Sequence, residues 1–331
     1  MNLHDDKSLF ADAVMACSQH TGINPVYVEK DYWITRSLKL LSEVDKNNRA
    51  IFKGGTSLSK VHLIGKRFSE DIDIAISEAS SLNGNQRKML IKRLAKAMTL
   101  GLVEIPTEGI TSKGSSYYRA IYGYESLREI SPGFSELSIR KGQLMVEINS
   151  FANPNPFTRK PVDNFIGAFL HEIGRDDVVS EYGLGIFYLN VLDKRRTATE
   201  KIVSLIRHSL SNNCINELSK KIRHFYDLYF LMEDDECRQY FNSSQFLFDL
   251  FSLLNHDRQL FDNPDGWNNR PIAESPMFNS LEIMWEKTLG EIYSKELSSL
   301  AYETIPESED VLKNILELID IVKSGEGAAG Q

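Results

Sequence analysis

Apolar positions along the 331-residue chain recur with two spacings, and the balance between them shifts partway along. Two helical patterns open it, about Lys7–His20 and Pro25–Leu41, the second following Asn24 with Pro25 at a favoured first-turn position. Ala50–Phe52 then reads as a short strand, Thr56–Leu63 as a helix and Asp71–Ile76 as a strand. Asn85–Leu100 reads as an amphipathic helix with Met89, Leu90, Leu94 and Met98 on related faces. Strand-like runs follow at Tyr117–Tyr122, Gln143–Phe151 and, after the turn-rich Asn153-Pro154-Asn155-Pro156, at Ile186–Leu192. Beyond that point the helical period dominates, over Thr197–Leu210, Ile215–Met232, Gln245–Asn255, Pro276–Leu300 and Glu309–Lys323. The terminal Gly325–Gln331, with no side chains suited to packing, is expected to fray. The pattern predicts an α+β protein: an α/β domain over residues 1–190, then a mostly helical domain over 191–331.

Composition narrows this picture only a little. With 42% hydrophobic and 25% charged residues the chain has the makings of a substantial core, which excludes wholesale disorder. The N-terminus lacks a basic start and an apolar run, and no apolar stretch is long enough to cross a bilayer, so a cytoplasmic location is expected. Cys17, Cys214 and Cys237 lie far apart without metal-ligand spacing, as befits buried free thiols. A net charge of −8 argues against a surface that coats nucleic acid indiscriminately. Lys194, Arg195, Arg196, Lys201, Arg207, Lys220, Lys221 and Arg223 nevertheless concentrate positive charge in one stretch, which is expected to admit a focused nucleic-acid contact.

The chemistry concentrates in Phe52-Lys53-Gly54-Gly55-Thr56-Ser57 and Arg67-Phe68-Ser69-Glu70-Asp71-Ile72-Asp73-Ile74. Gly54 and Gly55 let the backbone approach a ligand, and a helix starting there, capped by Thr56 or Ser57, presents its N-terminus to phosphate. In a strand, Asp71 and Asp73 share one face while Ile72, Ile74 and Ile76 face a core. Two carboxylates this close repel each other, and a divalent cation relieves the repulsion; oxygen-only ligands suit Mg²⁺ with a nucleotide triphosphate, Mn²⁺ being the alternative. A P-loop is excluded because Ser59 and Val61 flank Lys60, and a calcium loop because Ala75 and Ile76 stand where a ligand and a glycine are required. In the later strand, Glu147 shares a face with Met145 and Asn149 and is expected to be a third metal ligand.

These residues resemble the AbiEii/AbiGii family of nucleotidyltransferase-like toxins, which includes mycobacterial relatives that modify tRNA. The similarity extends to Glu29-Lys30-Asp31-Tyr32, to Glu147, to Thr199-Glu200-Lys201-Ile202 with Arg207, and to Arg223-His224-Phe225-Tyr226-Asp227-Leu228, all in family order. The resemblance implies a nucleotidyltransferase-fold domain followed by a helical one, and a toxin of a toxin–antitoxin or abortive-infection pair with an antitoxin partner. It also implies a site in which Asp71, Asp73 and Glu147 hold metal. Gly54, Gly55, Thr56, Ser57, Arg67, Ser69, Lys201 and Arg207 would hold the nucleotide, with Glu147 or Asp227 as base. Lys201, read near a helix start, is a poor fit to the helix dipole unless it meets an anion. Asp227, in an apolar run, needs a partner, for which Arg223 is the candidate. The acceptor implied is a tRNA 3′ end; a protein hydroxyl and a non-catalytic triphosphate-binding module are the alternatives.

Overall fold

The computed structural model describes residues 1–127 and 142–329 and divides the chain into two units, Met1–Leu63 with Phe68–Asp193, and Ile64–Arg67 with Lys194–Gln331. In the first unit, among the described residues, an eight-stranded mixed sheet forms from β1 (Ala50–Lys53), β2 (Asp71–Ile76), β3 (Val103–Ile105), β4 (Ser112–Lys113), β5 (Tyr117–Gly123), β6 (Gln143–Asn149), β7 (Phe157–Val162) and β8 (Phe187–Leu192). The strand order is β3-β5-β6-β2-β1-β8-β7, with β4 pairing β5. β2 runs antiparallel to β1 and parallel to β6, and β6 runs antiparallel to β5.

Helices α1 (Lys7–Thr21), α2 (Pro25–Val44), α3 (Gly54–Lys60), α4 (Gly84–Met98), α5 (Phe165–Glu172) and α6 (Asp176–Glu181) complete this unit. Their starts are local in origin: Asp6, Asn24 and Asn83 accept backbone N–H groups at the openings of α1, α2 and α4, which the first turn leaves without intrahelical partners. α2 packs on α1, α4 and α5 and on β6 and β8. It is sunk so deeply that its residues from Val26 to Thr35 are all buried. Ile72, Ile74 and Ile76 of β2, with Leu144, Val146 and Ile148 of β6, fill the apolar face of the sheet.

The second unit is helical: α7 (Lys194–Ser209), α8 (Cys214–Ser219), α9 (Ile222–Glu233), α10 (Asp235–Phe241), α11 (Ser244–Leu260), α12 (Pro276–Asn279), α13 (Leu281–Met284), α14 (Gly290–Leu300) and α15 (Ser308–Ala329). Three expectations change here. The helix expected over Ile215–Met232 is broken, and the Ser219 hydroxyl donates to the Ile215 carbonyl at the break, a bond that competes with helix propagation. The one expected over Pro276–Leu300 breaks at Ser280 and widens into a π-turn at Trp285–Leu289, where the Trp285 indole donates to Ser308. The tail expected to fray continues α15 to Ala329, with Gly325 set against Leu247; Gly330 and Gln331 lie outside the described residues. Strands β3, β4 and β7 and helices α5, α6 and α10 were not anticipated, being short or weakly periodic.

Phe52, fully buried in β1 between its partners Ile74 and Val191, anchors the centre of the sheet. Phe52→Ala is expected to lower the free energy of unfolding by about 3–5 kcal/mol, read from a urea titration.

Candidate active site

Strand register decides which side chains meet. Lys53 of β1 pairs with Asp73 of β2, Asp73 pairs with Glu147 of β6, and Glu147 pairs with Arg119 of β5. Directly opposed residues share a face, so four adjacent strands carry a transverse row whose charges run plus, minus, minus, plus. Asp71 lies on the same face two residues along β2, opposite Met145, and Tyr117 lies beyond Arg119, opposite Asn149. The opposite face is the apolar one, so this row comprises the polar groups that the core does not need.

Gly54 supplies the other wall. Its φ of +80° is open to glycine at little cost, and a Cβ built on it would run into the Asp73 carboxylate, with the carboxyl carbon at 3.0 Å. The absent side chain is thus the space that the Asp73 carboxylate uses. Thr56 and Ser57 do not offer hydroxyls to a ligand in this structure. Buried Thr56 donates to the Ser69 hydroxyl at 3.0 Å and the Asp71 carbonyl at 2.5 Å, and buried Ser57 donates to the Gly54 carbonyl at 2.9 Å. Their work is to fix the bend to the strand bearing Asp71.

Asp71, Asp73 and Glu147, expected to converge, are brought to one face, with Asp73 and Glu147 at directly opposed positions. Glu147 lies 3.6 Å from the Arg119 guanidinium, and among the described residues no group of three His, Cys, Asp or Glu is disposed to hold a metal ion. The donor set of Asp71 and Asp73, oxygen only and adjacent on one strand face, fits a hard divalent cation. Tyr117 is held protonated, pushed up by burial and then by the charge and hydrogen bond of Glu147. Arg119 and Tyr117 were missed from the sequence because strand-to-strand register is not written in local spacing; Lys53, next to the glycines, had a visible signal.

Arg67, Lys201 and Asp227 fall in the second unit and there find each other. Arg67 donates from Nε and Nη2 to both oxygens of Asp227, at 2.8 and 2.7 Å, and Lys201 Nζ lies 2.7 Å from Asp227 Oδ2. All three are buried. Burial would raise the Asp227 carboxyl, but the charges of Arg67 and Lys201, and their hydrogen bonds, outweigh it and hold the group below its ordinary value. The carboxylate is thus engaged in a buried ion cluster, with Arg67 and Lys201 as its partners. Arg223 is not its partner; it donates to Glu296 at 2.6 Å. Lys201 sits in the middle of α7 rather than near its start, so the dipole argument for an anion lapses.

Arg207 lies 3.6 Å from Asp257 and stacks over Phe261, 4.3 Å from the ring centre, so it too is engaged within its own unit. The cationic stretch is likewise matched by acids: Lys194 by Asp234 and Glu236, Arg195 by Glu236, Arg196 by Glu200, and Lys220 by Glu217.

Three outcomes are expected. Gly54→Ala forces a left-handed backbone on a residue with a Cβ, costing about 1–2 kcal/mol before the clash with Asp73 is counted, and should abolish nucleotidyl transfer in a labelled-triphosphate assay. For Asp227 the folded pKa lies below the unfolded one, so its contribution to stability is present above about pH 3.9 and is lost as pH falls through the folded value. Asp227→Asn should flatten the acid limb of an unfolding-versus-pH profile, and Asp227→Ala, which strands two buried cations, should cost about 3–5 kcal/mol at neutral pH.

Residues 36–314 match the model of the family described as nucleotidyl transferase AbiEii toxin, type IV toxin–antitoxin system. No curated protein matches the chain. Among solved structures, MenT4, a nucleotidyltransferase toxin from Mycobacterium tuberculosis H37Rv, is similar in fold, with a TM-score of 0.55 at 14% identity over 94% of this chain and 89% of that one. Membership carries with it a nucleoside triphosphate substrate and an antitoxin partner. With most of its length accounted for by the family model, the chain belongs to the AbiEii family of nucleotidyltransferase toxins.

Proposed function

We propose that the polar sheet face beside Gly54 is the catalytic centre of a divalent-cation-dependent transfer from a nucleoside triphosphate to an acceptor hydroxyl. The observation that supports it most is the placement of Asp73 in register beside Glu147 and over the space left by Gly54. Asp71 and Asp73 would hold Mg²⁺, and when bound the cation would supply neutralising charge to the triphosphate. Gly54 and Gly55 leave room for phosphate oxygens to approach the backbone. Glu147, exposed in part and bordered by Arg119, is the carboxylate left to take the acceptor proton now that Asp227 is committed to Arg67 and Lys201.

The acceptor we propose is a tRNA 3′ end, which rests on the family resemblance. A protein hydroxyl is the second reading, and one observation favours it: the acids matched to the residue 194–223 cations, on a chain of net charge −8, leave less uncompensated positive charge for RNA. Incubation with each α-labelled triphosphate, Mg²⁺ and total RNA or protein separates the two. Label on RNA of tRNA length is the expected result, label on protein selects the second reading, and triphosphate binding without transfer would leave a non-catalytic module. Asp71→Ala and Asp73→Ala should each remove transfer and growth inhibition with the urea midpoint preserved; retained transfer in either would refute its role in holding the cation.

A further inference from the structure

Glu29, Lys30 and Asp31 are three consecutive charged residues in the second turn of α2, and they are 2%, 1% and 4% exposed. Charged side chains are almost never buried so completely unless paired, and each of these is paired. Glu29 accepts from the Ser126 hydroxyl and the Leu127 N–H, at 3.2 and 2.9 Å. Lys30 donates to Glu70 at 2.5 Å, and Asp31 accepts from Lys60 at 2.6 Å and from the Phe165 N–H at 2.9 Å. Stability is a weak explanation for such pairs, because removing charge from water costs much of what the contact returns and apolar replacements often stabilise.

Where the pairs end is more informative. Lys60 closes α3, the helix that Gly54 opens, and Glu70 is the residue immediately before Asp71. Between them, residues Ile64–Arg67 belong to the second unit, so the covalent link from the glycine bend to the aspartate strand leaves the first unit and returns. Both ends of this excursion are tied to one helix. Tyr27, Lys30 and Asp31, spaced i, i+3, i+4, occupy one face of α2. Tyr27 stacks on Phe68 at 4.8 Å with the rings 11° apart, Lys30 takes Glu70, and Asp31 takes Lys60.

We propose that Lys30 and Asp31 are positioning residues for nucleotidyl transfer: from one face of α2 they hold the two ends of this excursion, and so fix the glycine bend and the Asp71-Asp73 strand relative to each other. The proposal rests on the reading of that face as the catalytic centre. Neither residue need touch substrate. Their charge supplies directionality that packing alone lacks, since Lys30 and Asp31 accept opposite partners and cannot exchange them.

The test replaces charge by apolar volume. Lys30→Met with Glu70→Leu removes both charges of the pair together and should keep or raise the urea midpoint, while kcat falls at least tenfold and KM for the triphosphate stays within twofold. Asp31→Asn with Lys60→Met, which keeps an acceptor for the Phe165 amide and strands no buried cation, serves where the first double variant fails to fold, and should lower kcat at least fivefold at an unchanged midpoint. In both, amide hydrogen exchange across residues 54–60 and 69–73 should quicken at least tenfold with α1 and α4 unaffected. Wild-type kcat together with wild-type exchange in a folded variant would overturn the proposal. Should the wild-type protein transfer nucleotide to neither RNA nor protein, the reading of the catalytic centre fails, and the exchange measurement alone decides whether α2 holds the two ends.

Discussion

Two carboxylates on neighbouring strands can stand side by side only if the strands are held in one register and something offsets their repulsion. Adjacent strands lie about 4.8 Å apart, so Asp73 and Glu147 are close enough to destabilise the pairing. Lys53 and Arg119, one strand further out on either side, put opposite charge beside each acid. Hydrophobic alternation enforces the same register from behind, because a slip of one residue would turn Ile72, Ile74 and Ile76 out of the core and Asp71 and Asp73 into it. The polar face is therefore the complement of the core face. It needs no separate instruction beyond the polar residues placed at alternate positions.

The charges of the second unit follow a different logic. Asp227 meets two cations while the other cations of residues 194–223 with a described partner meet acids of their own, some close in sequence and some far. A buried cluster of two cations and one anion is costly to desolvate and costly to break, which fixes geometry more than it adds stability. Arg67 is notable because it stands four residues before Asp71 yet belongs to the second unit. The same short stretch of chain thus serves an ion cluster in one unit and a carboxylate strand in the other.

Much of this was legible in the residues. The Asp71-Ile72-Asp73 alternation, the Gly54-Gly55 bend and the strand holding Glu147 all follow from spacing and local sterics, and the structure has them on those elements. What could not be read was pairing. The partner of Asp227 is 160 residues away at Arg67, not one turn back at Arg223, and that of Arg223 is Glu296. The cluster over 194–223 looked exposed because its acids lie partly outside the window, at Asp234, Glu236, Asp257 and Glu296. Thr56 and Ser57 looked like ligand groups because a hydroxyl's choice between substrate and backbone is invisible until the backbone is placed.

The rims of the sheet carry one more consequence. At one end β7 is lined by Arg159, Lys160 and Pro161, the last without an N–H to offer; at the other β3 spans three residues and β4 two. A protein that sought to dock by laying an extended segment alongside would find an interrupted ladder at either margin. Addition of a further strand is accordingly disfavoured at both margins, and the same interruptions protect a freshly made chain from stacking rim to rim with its own copies.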